Sequence, residues 1–527
     1  MESKFASHAP NLWSINWLTN QIKDHQIVKT IAHQPQLRPQ LPSVSASKEY
    51  HQQRDLFIRI DEILTKSGLE NDFIELSMKQ RGFDPQERSI KQIDTFSKAS
   101  VLALRSNIAR HIIGMDHRDY CARIADSPLL QWFLQIGRVD GVKAFAKSTS
   151  DRFAHWLDEP NLRLINTRLT ELLAGSSQDQ AIDLGLEENI SFDDIYFDST
   201  CLKAPIHFPV DWVLLRDITR TLMKATRLIR QAGLRHRMPQ DPLEFLSDMN
   251  TLCMKMSAKF RTKEGRKHRK AVLREMKKLT RLIGKHARAH LKILAQRGGE
   301  TELGEGHIRQ IEERIQGVLD QLPAAIKQAH ERIIGGRKPA NKEKILSLYD
   351  GDVEVIKRGK NGAEVEFGNK LWLGETREGL IVDYLLEKEQ SSDSHHIAPA
   401  IDRLVREQAL SINNVWGDRG VHSGSNEKLL NKLGIRSGLC PRNVEQLAER
   451  LNHEPGMREG LKRRAGTEAR ISILIRDFMG KPARAKGFKH REMLVGWAVL
   501  SHNIWVLGRL KQATPGECIE EQKLEAA

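Results

Sequence analysis

The sequence predicts an α/β protein: a core of strands and helices, preceded by a mostly α-helical N-terminal domain and interrupted after its first strand by a long α-helical insertion. Three observations carry this. "FDDIYFDST" at 192–200 is an extended run with Ile195 and Phe197 on one side and Tyr196 and Asp198 on the other. From 212 to 335 the pattern is almost wholly helical. From 353 to 386 it returns to strands, with "KNG" and "TREG" as turns.

Composition narrows the class. At 527 residues the chain has room for about three domains. With 39% hydrophobic and 29% charged residues it reads as soluble and globular rather than disordered. No window has the apolar length of a membrane span. The opening stretch lacks the apolar core and small-residue cleavage site of a signal peptide. The cysteines at 121, 201, 253, 440 and 518 are scattered and unpaired in spacing, as thiols of a reducing compartment are. His395, His396, His422 and Cys440 lack zinc-site spacing and read as solvated or core residues. The formal charge is +15, and between Lys255 and Lys292 fifteen Lys and Arg face only Glu264 and Glu275, a net +13. A solvated helix face is the plainer reading; so lopsided a segment weighs toward a polyanion, DNA or RNA.

The elements follow in order. Residues 1–185 read as a helical N-terminal domain, opening with the Pro-rich stretch "HQPQLRPQLPSVSAS". A helix is expected from Ser97, ended by Gly114. "DHRDYCARIADS" and "PLLQWFLQIG" give two short helices, and the Ser/Thr cluster of "KSTSDRFAHWLDE" suits an N-cap. Residues 186–211 hold the first part of the core, where the strand ends at Asp198 and Asp211 caps the next helix. Residues 212–340 form the basic insertion, three or four long helices packed as antiparallel hairpins. Leu273, Met276, Ile283 and Leu294 are the inner stripe of its basic helix, and Pro323 is expected to kink another helix. Residues 341–510 hold the rest of the core: three strands, with Gly362 and Gly379 shaping the turns, then a helix at about 396–408 and a short strand ending in Asp418. A helix, the strand "IRSGLC", a helical stretch at about 463–476 and a strongly apolar last helix complete it. Residues 511–527 read as a frayed tail.

Three acids stand out in this order: Asp198, Asp418 and Glu468, the last in "RRAGTEARIS". If the two Asp-bearing strands are sheet neighbours, both side chains can face one point, and a helix across the sheet can add Glu468. Each has a plainer reading as a turn or solvated acid, and Glu449, Glu454 or Glu459 could stand in for Glu468. Clustered carboxylates repel unless a cation holds them. Oxygen-only ligands select Mg²⁺ or Mn²⁺, and two such ions about 3.5–4 Å apart suit phosphoryl transfer.

These stretches carry a resemblance. "IYFDST" with "HFPVDWVLL", then "ILSLYDGDVEVIKRGKNGAEVEFGNKLWLGETREGLIVDY", "WGDRGVHSGSNEKLLNKLGI", "RRAGTEARIS" and "MLVGWAVLSHNIWVLGRL" together resemble the DDE transposases of bacterial insertion sequences, over about 190 residues of core. "GMDHRDYCARIADSPLLQWFLQIG" is similar to their N-terminal helical domain. The resemblance implies a ribonuclease H-like catalytic core in which Asp198, Asp418 and Glu468 hold two Mg²⁺ or Mn²⁺ ions. It implies Arg464 as a DNA contact, with Arg470 beside it, and a cytoplasmic, nucleoid-associated enzyme that works as a homo-oligomer on double-stranded DNA, both element ends and target. The N-terminal domain would bind the terminal inverted repeats. Lys267, Arg269, Lys270, Arg274, Lys277 and Lys278 of the insertion would hold phosphates. The chain departs from the family signature at Leu461, where a Tyr is expected, and at Ile475, where a basic residue is expected and Arg476 comes one place later. A ribonuclease H-like nuclease without strand transfer, and a DNA-binding protein with a dead site, are the alternatives.

Overall fold

The computed structural model describes residues 38–511 apart from 139–140, 176–183, 188, 258–261, 338, 341–342 and 361–362. The expectations for the first 37 residues, Gly362, Cys518 and the tail beyond Lys511 lie outside the described residues.

The N-terminal part is α1 (Lys48–Lys66), α2 (Leu69–Gln80), α3 (Ile90–Ile113), α4 (His117–Asp126), α5 (Pro128–Phe133), a two-residue hairpin β1 (Gly137–Arg138) and β2 (Gly141–Val142), α6 (Lys147–Ala154) and α7 (Glu159–Leu173). Helix α3 starts well before Ser97, because Ser89 and Gln92 form a reciprocal capping box. It ends at Gly114 as expected, with φ 70°. Helix α6 follows Ala146 with no side-chain cap, so its Ser/Thr cluster does not serve as one.

The core begins with β3 (Asp194–Lys203). The insertion follows as α8 (Asp211–Gln231), α9 (Pro242–Ser257), α10 (Lys263–Arg297) and α11 (Glu305–Ala329). These four helices close their own core, with Leu273, Met276, Ile283 and Leu294 of α10 buried against Ile218, Phe245 and Ile315. Pro323 lies inside α11, which is helical on both sides of it. Asp211 is not a cap: the cap position is Val210, and the Asp211 carboxylate accepts from Gln328 Nε2 at 3.0 Å and Arg332 Nη1 at 3.1 Å. That clasp ties the first turn of the insertion to its end.

The chain returns as β4 (Glu354–Lys360), β5 (Ala363–Glu375), β6 (Ile381–Leu386), α12 (Ile397–Asp402), β7 (Asn414–Gly417), α13 (Gly424–Lys432), β8 (Arg436–Leu439), α14 (Val444–His453), α15 (Met457–Ala465), α16 (Thr467–Ile473) and α17 (Phe488–Leu510). The fold is thus mixed α/β. The sheet runs β4-β5-β3-β7-β8, with β6 also on β5. Strands β5 and β3 are antiparallel, whereas β3, β7 and β8 are parallel. The helical stretch expected at 463–476 is divided at Gly466 and continues as a π-helical segment at Leu474–Met479.

Helix α17 is apolar on all sides because both of its sides are covered. Trp497, Leu500, Ile504 and Leu507 pack into the N-terminal helices with Phe57, Phe73 and Phe133. Leu494, Val495, Ala498 and Val499 pack toward the sheet with Leu202, Leu371 and Leu373. Arg491 of α17 is fully buried; its guanidinium bonds Asp350 and donates to Asn369 Oδ1 at 2.8 Å. Among the described residues no helix is long and apolar enough to cross a membrane.

Candidate active site

Strand β3 sorts its side chains by period two. Ile195 and Phe197 enter the core under α12 and α13 with Ile397, Leu404 and Leu430. Tyr196 and Leu202 face the other side, toward α15 and α16–α17 respectively, and Asp198 shares their parity. Asp198 lies in the middle of β3, opposite Leu373 of β5, and not at the strand's end, because hydrogen bonding to β5 continues to Lys203. Strand β7 pairs with β3 through Asn414–Trp416, which brings Asp418, just beyond its end, beside Asp198. The Asp418 carboxylate is oriented locally: Oδ1 accepts from Gly420 N at 2.9 Å and Val421 N at 3.1 Å.

Glu468 is delivered by packing. Trp416 is seated by the absence of side chains at Gly438 and Gly460, where a Cβ would overlap its ring, and its Nε1 donates to Asp194 Oδ1 at 2.7 Å. This lets α15 lie close on β7. The start of α16 is then anchored to the β5–β6 turn around the buried carboxylate of Glu375. Thr467 Oγ1 donates to Glu375 Oε1 at 2.8 Å, Arg463 Nη1 lies at 3.2 Å and Arg470 Nη1 at 3.5 Å. Arg463 also donates to the carbonyls of Thr376 and Arg377 and stacks on Tyr196. Burial pushes the Glu375 carboxyl up in spite of these partners.

Asp198, Asp418 and Glu468 accordingly line one cleft of about 360 Å³, together with Asp393, Glu366, Lys203, Lys357, Lys370 and Lys481. Glu449, Glu454 and Glu459 are not in its lining; Glu454 pairs with Arg450 at 2.7 Å. Among the described residues no three His, Cys, Asp or Glu side chains are gathered closely enough to hold a metal ion as they stand. The donor chemistry nonetheless fits a hard divalent cation. All three are carboxylates, Glu468 is exposed at the cleft, and acids without a cation between them are driven apart.

Asp198 feels this directly. Its carboxyl is pushed up to about 6, first by burial and then by the charges of Asp418 and Glu468, against the pull of Arg464 and of the Ser199 N–H at 2.7 Å. Arg464 Nη1 stands 3.8 Å from Asp198 Oδ2. So the positive partner for the strand's acid is an arginine of α15, and Arg464 is engaged within the chain. Arg470 is engaged likewise at Glu375 and the Arg377 carbonyl. Leu461 packs with Tyr196, Trp416 and Met457, and Ile475 is buried at the cleft's edge. Arg476 is exposed and paired with Asp477 at 2.8 Å.

Asp393, Lys370 and Glu375 have no local sequence signal. A methyl at Gly420 would lie 3.1 Å from both Asp393 Oδ2 and Asp418 Oδ1, which makes Asp393 a fourth acid at the site. Lys370, nearly buried on β5, pairs with Asp393 and donates to the Ser391 carbonyl at 2.6 Å. On the insertion, Lys267, Arg274 and Lys278 are exposed, and Arg269, Lys270 and Lys277 are half-buried. None of the six lines the acidic cleft. Comparison with protein families, characterised proteins and solved structures finds no match to this chain.

Proposed function

We propose that this protein is a DDE transposase with a ribonuclease H-like core, which binds the ends of its mobile element, cuts a DNA strand and joins the freed 3′-hydroxyl to target DNA. The observation that carries the reading is that Asp198, Asp418 and Glu468, remote from one another in sequence, line one cleft in which burial, with the neighbouring acids, raises the pKa of Asp198. The antiparallel β6-β5-β3 strands extended by parallel β7 and β8 also support it, since Asp198 then sits on a central strand and Asp418 just beyond the end of the neighbouring one.

Divalent ions held by the three carboxylates would activate a water or a 3′-hydroxyl and stabilise the leaving oxygen. The chain's own part is to position and to neutralise. Asp418 is fixed by two backbone N–H groups. Lys357 and Lys481 offer cations to phosphates at the cleft. Arg464, 3.8 Å from Asp198, would be the cation nearest a scissile phosphate bound at that carboxylate. The exposed cations of α10, among them Lys267, Arg274 and Lys278, hold the DNA backbone away from the chemistry. No covalent protein–DNA intermediate is required, because the nucleophile is a water or a DNA hydroxyl.

The test is Asp198→Ala with end-sequence DNA and Mg²⁺ or Mn²⁺. Cleavage should be lost and DNA binding retained; unchanged cleavage sinks the assignment. A strand-transfer assay on pre-cut ends separates a transposase from a nuclease that only hydrolyses.

A further inference from the structure

From Lys267 to Lys292 a Lys or Arg recurs every three or four residues along α10. At 1.5 Å per residue this stripe is about 37 Å long, close to the roughly 34–36 Å of one turn of duplex DNA. Midway along it, α10 and α11 enclose a shallow cleft. Its floor is Leu322, Pro323 and Ile326, and its rim is Lys277 and Arg281 from α10 with Lys327 of α11 and His330 just past its end. Among the described residues no acidic side chain lines it. The ion pairs Arg297–Glu300 and Arg332–Asp211 lie outside it.

The rim is assembled rather than diffuse. Lys277 Nζ lies 2.8 Å from His330 Nδ1. The ammonium can only donate, so Nδ1 accepts and the ring proton sits on Nε2 as a further donor. The charges are also uncompensated: burial, Arg281 and Arg274 all lower the Lys277 pKa. Crowded cations without an acid are relieved by an anion.

We propose that the α10–α11 face is a phosphate cradle that seats duplex DNA apart from the acidic cleft, with Lys277, Arg281, Lys327 and His330 gripping the backbone of one strand. The length of the stripe favours a duplex over an acidic peptide. The proposal rests on DNA being this protein's substrate, but not on the chemistry at Asp198.

The experiment is fluorescence anisotropy with the full chain and a labelled duplex of arbitrary sequence, about three turns long, between about 50 and 200 mM salt. Arg281 and Lys327 are exposed, so Arg281→Gln with Lys327→Gln should leave the fold intact. That variant should flatten the slope of log K against log salt by about 1.8, at about 0.9 per lost phosphate contact. Lys428→Gln with Lys432→Gln, an equal charge change on exposed α13, should leave it nearly unchanged. An unchanged slope in the first variant, an equal loss in the second, or displacement of the duplex by poly-glutamate at equal charge would overturn the cradle. Cleavage that survives Asp198→Ala while Arg281→Gln/Lys327→Gln still weakens binding would remove the catalytic reading and leave the cradle standing.

Discussion

The acidic cleft and the insertion handle charge in opposite ways. In the cleft, the acids come from positions as far apart as 198 and 468, and Asp198 is nearly buried and faced by an arginine. On α10 the cations come from one continuous stretch, are exposed or half-buried and back onto an apolar stripe. The first arrangement strains its groups and shifts their protonation; the second leaves a field for a polyanion. Placing reactive charge takes a sheet and several crossing elements, whereas displaying binding charge takes one amphipathic helix.

The comparison can be broken most forcefully at the insertion's core. Leu273→Ala removes a fully buried side chain and should cost about 2–5 kcal/mol. Because the insertion has its own core, urea unfolding followed by far-UV and tryptophan signals should show it melting ahead of the sheet. One coincident transition would mean the two regions are not energetically distinct.

Next in size is the pH dependence of the cleft. Asp198 has its pKa raised to about 6 in the fold, from roughly 3.9 when unfolded. Folding therefore favours its neutral form. That contribution is full below about pH 4 and is lost as pH rises through about 6, amounting to about 2–3 kcal/mol. Without divalent ions the protein should lose this stability between pH 4 and 7, and Asp198→Asn should remove that slope. Mg²⁺ at pH 7 should raise the melting temperature of the wild type and not of the variant. An identical pH slope in both proteins would show that the cleft does not strain Asp198.

Gly460→Ala sharpens the same contrast from the packing side. The added methyl meets the Trp416 ring, and such overpacking costs about 1–3 kcal/mol. It should shift α15 and with it Glu468, lowering cleavage while leaving the salt dependence of DNA binding intact; loss of binding instead would mean α15 serves the DNA surface. The smallest effect is expected at Lys278→Gln on α10. Its exposed charge should reduce the salt slope by about 0.9 with cleavage at saturating DNA unchanged. A fall in cleavage at saturation would place the insertion within the catalytic machinery.

Much of this architecture was legible in the residues. Period-two alternation marked β3, and the turn at Gly379, with φ +99°, separates β5 from β6 as read. The helical pattern of the insertion gave three or four helices, and the structure has four. Local readings failed where a side chain serves a distant partner. Asp211 resembles a cap in sequence yet clasps Gln328 and Arg332, more than a hundred residues on. Ser97 looks like a helix start, but a better box at Ser89 and Gln92 extends the helix upstream. Asp393, Lys370 and Glu375 were invisible because their roles exist only once β5, β6 and α16 are assembled.

By itself, the sequence determined the order of elements, the amphipathic faces and the identities of the acids and cations, because these depend on side-chain type and spacing along a regular backbone. Tertiary structure alone decided that Arg464 faces Asp198, that Gly438 and Gly460 make room for Trp416, and that α17 joins the N-terminal helices to the sheet. Those outcomes depend on strand pairing and on volume shared between segments tens to hundreds of residues apart, which no local spacing encodes.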